Sequence, residues 1–296
     1  MAETNPQETN PQEASPKKSK LRSSRPDFAS LGGLAVALGA IIGGLMMEGG
    51  HVSDVTQVSA AIIVLGGTLG AVMVTSPFSA LMAAMMGLKD VFFENVINFE
   101  AAIEEVIGYA TKARKSSIIS LEEDLVNITD PFLQKALTLA VDGTDIQELR
   151  QMMQLELYQA EKHGEAAAKV FEAAGGYSPT VGIIGAVLGL IQVMKHLEDI
   201  SEVGRGIAVA FVATVYGVAV ANLFFLPSAN KLKSRIHEEV QAKELMLDGV
   251  SSILEGMNPK LIRVKLEAYV HKKKAPKKDK AGAEASGAEQ PAAAGG

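Results

Sequence analysis

Two stretches decide the fold. The first is Pro179-Thr-Val-Gly-Ile-Ile-Gly-Ala-Val-Leu-Gly-Leu-Ile-Gln-Val-Met194. The second is Gly206-Ile-Ala-Val-Ala-Phe-Val-Ala-Thr-Val-Tyr-Gly-Val-Ala-Val-Ala-Asn-Leu-Phe-Phe-Leu-Pro227. At 1.5 Å per helical residue each is long enough, or nearly so, to cross about 30 Å of hydrocarbon. Neither carries a charged residue in its interior. The pair nevertheless holds Thr214, Asn222, Pro179 and Pro227, more polarity and backbone irregularity than a plain anchor needs. Such a pair suits the wall of an ion path.

Working outward, the rest of the chain has the same blocked character. Of 296 residues, 48% are hydrophobic, and they fall in runs rather than being spread along the chain, as in a polytopic membrane protein. There is no cysteine, so redox chemistry says nothing of the compartment. The net charge is −6, and basic residues cluster beside the apolar runs instead of forming a nucleic-acid-binding face.

Residues 1–27 are polar and aperiodic, which predicts a disordered tail. Lys17, Lys18, Lys20, Arg22 and Arg25 precede the first apolar run, Phe28 to Met47, which is about as long as a full span and has no cleavage-site pattern, so it reads as an uncleaved span. A second run goes from Val58 to Leu81, or on toward Leu88. The loop between them, Glu48 to Gln57, lacks Lys and Arg; by the positive-inside rule it is outside and the N-terminus cytoplasmic. Gly39/Gly43 and Gly66/Gly70 have the spacing that lets membrane helices approach closely.

Residues 89–176 read as a helical cytoplasmic domain between spans two and three. One helix is predicted from near Asp90 to Lys115. Ser120-Leu-Glu-Glu123 fits a capping box. Asp130-Pro131 fits an N-cap followed by a first-turn proline. Asp142-Gly-Thr-Asp145 fits a break capping a long helix that Gly175-Gly176 ends. Residues 177–229 form spans three and four, joined by a short acidic turn. Lys231, Lys233 and Arg235 follow the fourth and favour a cytoplasmic C-terminus. Residues 230–270 continue as an amphipathic helix. Residues 271–296 are a tail, basic from Lys272 to Lys280 and then Ala/Gly-rich; the lysines suit either solvent or anionic lipid. The fold class is thus all-α, with four transmembrane helices and both termini cytoplasmic.

No Walker loop, metal-ligand spacing or nucleophile–base set is present, so neither an enzyme nor a cofactor is expected. Intramembrane carboxylates usually mark proton or sodium relays. Here no span interior holds Asp, Glu, Lys or His, and Glu48 sits at a span end. If the chain helps conduct an ion, the titrating acid comes from elsewhere. Thr214 and Asn222 suit a hydrated path, or bonding to carbonyls of their own helix. Pro179 and Pro227 suit a special backbone, or an ordinary first-turn proline and an ordinary helix stop.

These same residues carry a family resemblance. Ser178-Pro-Thr-Val-Gly-Ile-Ile-Gly-Ala-Val-Leu-Gly-Leu190, Ala208-Val-Ala-Phe-Val-Ala-Thr-Val-Tyr-Gly217, Asn222 and Pro227-Ser-Ala-Asn-Lys-Leu232 look like the MotA family of flagellar motor stator subunits, whose wider superfamily includes ExbB and TolQ. The resemblance runs from about residue 28 to 268. A further motif, Arg114-Lys-Ser-Ser-Ile-Ile-Ser-Leu-Glu122, matches the family's charged surface. It implies that Arg114 and Glu122 contact the rotor protein FliG. Pro179 and Pro227 match the family's two prolines at the cytoplasmic side of the channel, and Thr214 its hydroxyl in span four. Two spans before the large domain resemble MotA, whereas ExbB and TolQ types have one before it and two after. Sodium-driven relatives place threonine where Ala186 stands. Without that oxygen ligand for a hard cation, the resemblance favours protons. It further implies a pentamer around a MotB-like single-span partner bearing the proton-binding aspartate, in the bacterial inner membrane. The alternative is an ExbB/TolQ-like energiser of envelope transport without a rotor.

Overall fold

The computed structural model describes residues 22–270, and it is built almost wholly from helices. Strand β1 (Arg22–Pro26) leads into helix α1 (Phe28–Met47), the first span. A single 3-10 turn, Val52–Val55, precedes α2, which covers 58–75 and contains a π turn at Ile62–Gly66. Then come α3 (Phe78–Phe92), β2 (Phe93–Ile97) and α4 (Phe99–Ser116). A 3-10 turn, Ile118–Leu121, leads to the one-turn α5 (Glu122–Leu125) and to α6 (Pro131–Val141). Two long helices dominate: α7 (Ile146–Lys195) and α8 (Ile200–Leu254), the latter with a π turn at Ala221–Phe225. Helix α9 is Pro259–Glu267. Among the described residues, four helices are long and apolar enough to cross a membrane: α1, the Val52–Thr75 segment, α7 and α8.

Several local expectations hold. Asp130 accepts from the backbone N–H groups of Phe132 and Leu133 and caps α6, with Pro131 in the first turn. Asp145 caps α7 through the N–H of Gln147. Gly143 (φ 81) ends α6 and Gly256 (φ 70) ends α8, left-handed positions that glycine takes without steric cost.

Other expectations are corrected. Of the tail 1–27, the first 21 residues lie outside the described region, but 22–26 pair antiparallel with 93–97, from Arg22↔Ile97 to Pro26↔Phe93. That pairing interrupts the single helix expected from Asp90 to Lys115. The helix of the second apolar run stops at Thr75, because the ring of Pro77 favours an extended backbone at Ser76 (φ −120, ψ 137). Gly175-Gly176 does not end a helix, since α7 runs through both. A Cβ on Gly175 would lie 2.6 Å from Leu226 Cδ2, so this glycine serves close packing rather than termination. No capping box forms at Ser120; its hydroxyl donates to the carbonyl of Ser117 at 2.7 Å. The helix expected over 230–270 breaks between Leu254 and Pro259. The tail 271–296 lies outside the described residues.

The described residues form three apolar cores. The largest lies in the extramembrane domain, where Ile103 and Val106 of α4 and Leu133 and Leu137 of α6 meet Leu149 and Met153 of α7. Leu245 and Val250 of α8 and Ile262 and Leu266 of α9 complete it. The 89–176 block therefore does not close a core alone; the lower half of α8 and α9 supply its other side. A second core joins α3 to α7 and α8 through Ala84, Ala168, Phe171, Ala229 and Leu232. A third, small one links Ala60 and Val64 of α2 to Val212 and Ala213 of α8.

Candidate ion-path wall and charged surface

The α7–α8 pair is packed by small residues. Gly182, Gly185 and Gly189 fall on one face of α7, at helical spacings of three and four. Opposite them on α8 lie Gly206, Ala210, Ala213 and Gly217. A Cβ on Gly182 would sit 2.9 Å from the Ala213 carbonyl, and one on Gly189 would sit 2.8 Å from the Gly206 carbonyl. A Cβ on Gly217 would sit 2.6 Å from the Ser178 carbonyl. Side chains are excluded because the two backbones touch. Burial of Gly182, Gly185 and Gly189 against α8 leaves Ile183, Ile184, Val187 and Leu188 of α7 exposed, an apolar face suited to lipid or a partner helix.

Pro179 lies inside α7, and Pro227 inside the continuous α8, so neither is a first-turn proline or a helix stop. A proline in a helix interior removes an N–H and crowds the carbonyl four residues earlier. In α8 the π turn at Ala221–Phe225 directly precedes Pro227 and widens the backbone where that crowding arises. The two prolines are brought to one end of the pair. Ser178, beside Pro179, is buried and donates to the Gly217 carbonyl at 3.0 Å. Gly175, one turn before Pro179, packs on Leu226 beside Pro227.

Gly185 packs against Ala213, which sets their neighbours Ala186 and Thr214 at one level of the pair. Thr214 Oγ1 donates to the Ala210 carbonyl at 3.2 Å, and Asn222 Nδ2 donates to the Val218 carbonyl at 2.9 Å. Both polar side chains thus bond to carbonyls of their own helix. Tyr216 ties this helix to the loop before α2, donating to the Val55 carbonyl at 2.5 Å and accepting from the Gln57 N–H at 3.3 Å.

Arg114 and Glu122 lie far along the chain from that wall, in the extramembrane domain. Arg114 is in the last turn of α4 and Glu122 opens α5; both are exposed, and among the described residues neither forms an ion pair. Between them Ser117 takes φ 86, a conformation costing about 1–3 kcal/mol for a non-glycine residue. Lys112 and Asp124 form a 2.8 Å ion pair that clasps α4 to α5 and holds the turn closed. The arrangement presents Arg114 and Glu122 as exposed opposite charges on a fixed turn, with Lys115 and Glu123 exposed beside them.

Two hydrogen-bonded features of this region are not foreseen from the sequence. One is the Ser178–Gly217 bond, for which the Gly182/Gly185/Gly189 spacing was the available signal. The other is Asp27, buried at 5% exposure and gripped by Lys231 and Arg235. Nothing in a polar tail marks one acid as buried. Among the described residues no cluster of three His, Asp or Glu side chains is placed to hold a metal.

Residues 31–114 match the Motility protein A N-terminal family and residues 124–245 the MotA/TolQ/ExbB proton channel family. Arg114 is the last residue of the first match, and Glu122 falls between the two. Motility protein A of Bacillus subtilis is 35% identical over 248 residues, covering 82% of this chain and 91% of the relative. Chemotaxis protein PomA of Vibrio alginolyticus is 30% identical over 248 residues, covering 84% and 97%. The solved flagellar MotAB stator complex from Bacillus subtilis superposes with a TM-score of 0.77 at 35% identity, covering 82% of this chain and 96% of that one. The C. jejuni MotAB structure gives 0.78 at 30% identity, covering 82% and 95%. Glycine-packed spans three and four, two spans ahead of the large domain, and these likenesses along most of the chain have one reading: the chain belongs to the MotA/TolQ/ExbB proton channel family, on its motility-protein branch.

Proposed function

We infer that this chain is a flagellar motor stator subunit that works with a MotB-like partner to convert ion flow into torque. The observation that carries it is the α7–α8 wall, apolar and glycine-packed, with prolines near its inner end and no acid of its own. Such a wall needs a partner's carboxylate to pass a proton, and the likeness to the solved MotAB complexes supports a MotB-like partner as its source.

Several copies, five by family resemblance, surround the partner in the inner membrane with both termini cytoplasmic. Protonation of the partner's aspartate against α7 and α8 shifts these helices about Pro179 and Pro227. The lower halves of both helices belong to the core of the extramembrane domain, so a shift at the prolines moves Arg114 and Glu122 against the rotor protein FliG. Ala186 supports protons over sodium, since an alanine adds no oxygen to the path. A potential of 100 mV supplies about 2.3 kcal/mol per charge, so torque must be built from many small steps.

Complementation tests this reading. In a motile bacterium lacking its own stator genes, the chain supplied with its partner restores swimming, and the chain without the partner does not. Restoration of envelope uptake without rotation would overturn it in favour of an ExbB/TolQ-like energiser.

A further inference from the structure

Asp27 is engaged through both carboxylate oxygens, yet it has no part in the ion path or the charged turn. It sits before α1, outside the two family-matched segments. Its Oδ1 accepts from the N–H groups of Ala29 and Ser30 at 3.1 Å each, capping the first span. Its own N–H donates to the Phe92 carbonyl at 2.8 Å, continuing the β1–β2 ladder. Its Oδ2 takes Lys231 Nζ at 2.5 Å and an Arg235 guanidinium nitrogen at 3.0 Å. Arg235 also reaches Glu94 of β2 at 3.4 Å.

Helix capping explains one oxygen only. The other oxygen is spent on two cations of α8, four and eight residues below Pro227 and so one and two turns down the same helix. Leu232, between them, packs where a Cβ on Gly87 of α3 would lie 3.4 Å away. The hydrogen bond from Lys231 is the main cause holding the Asp27 carboxyl down at about 2, against the opposing effect of burial, so the latch stays charged across the physiological range.

We propose that Asp27 is a positioning residue for torque transmission: through Lys231 and Arg235 it fixes the part of α8 just below Pro227 to the first span and the β ribbon. This rests on the stator reading above. With the latch closed, a shift of α8 at Pro227 turns against a fixed point and is passed down to the extramembrane core. With it open, the lower part of α8 is free to slip relative to α1 and part of the motion is lost.

The test separates charge from capping. Asn keeps the cap and removes the charge, whereas Glu keeps the charge and caps less well. Full-length variants, expressed with the partner in a stator-deleted strain, are compared by torque per stator unit on heavily loaded beads, with membrane level measured alongside. Asp27→Asn should lower torque by roughly half or more at an unchanged membrane level, and Asp27→Glu should retain most of it. Lys231→Gln, which removes one cation and leaves Asp27 and Arg235 paired, should give a smaller loss. Asp27→Asn with full torque, or Asp27→Glu failing as badly as Asp27→Asn, overturns the proposal. So does loss of both Asp27→Asn and Lys231→Gln from the membrane, which would assign the cluster to folding. A wild-type chain that turns no bead overturns the stator reading itself, and this inference with it.

Discussion

Ser178 donates its hydroxyl to the carbonyl of Gly217 at 3.0 Å, and the same glycine is where a Cβ would come within 2.6 Å of the Ser178 carbonyl. The bond and the close approach are one relationship: the two helices of the wall touch backbone to backbone beside Pro179. Gly217→Val is therefore expected to push the helices apart and abolish motility. Ser178→Ala removes a bond to a carbonyl that the Ala221 N–H also reaches. It should cost about 0.6 kcal/mol, a typical value inside membranes, and leave motility reduced but present. Swimming speed and membrane level of the two variants check this ordering.

The charged turn makes a separate prediction. Reversing both charges, Arg114→Glu with Glu122→Arg, is expected to stop rotation while leaving stator assembly intact, because both side chains are exposed and neither has an ion-pair partner to lose among the described residues. Counting fluorescent stator units at the motor distinguishes a failed rotor contact from failed assembly. Normal swimming would remove the rotor role from these residues.

Pro227 and its π turn make a third. Pro227→Ala restores an N–H and removes the ring, which allows an ordinary helix through this region. The expected outcome is a protein at least as stable, since the substitution introduces a better helix former, but with rotation impaired. A variant that swims normally would mean that the widened turn has no part in coupling.

Glu105 offers a pH test within the extramembrane domain. Burial is the main cause raising its carboxyl above the usual value, opposed by the Tyr109 hydroxyl, which donates at 3.0 Å, and reinforced by Asp130 nearby. A raised acid favours its neutral form when folded, so its charge costs stability at neutral pH, and the cost fades as pH falls toward the ordinary carboxylate range. Glu105→Gln should raise the melting temperature at pH 7.5, with the gain shrinking as pH falls toward the ordinary carboxylate range. An unchanged difference across that range would contradict the cause given.

Much of this was legible in the sequence, for identifiable reasons. Charge-free runs announce membrane helices, and an Asp-Pro pair announces a cap, because each depends only on neighbours in the chain. The π turn before Pro227 and the burial of Asp27 were not legible. The first depends on how a helix accommodates a proline while packed against another, and the second on two cations more than two hundred residues away. Gly175-Gly176 misled for a related reason: glycine ends helices and also lets them touch, and only the position of Leu226 decides which. For Thr214 and Asn222, both readings were open. In the single chain each bonds within α8, to the carbonyls of Ala210 and Val218.

The central claim is that this chain builds a wall for protons and borrows the titrating acid. The most direct measurement is proton flux into vesicles containing the chain and its partner, under an imposed membrane potential and without sodium. The account predicts internal acidification that needs both proteins and disappears when the partner's intramembrane aspartate is replaced by asparagine. Flux through this chain alone, or flux only when sodium is supplied, would contradict it.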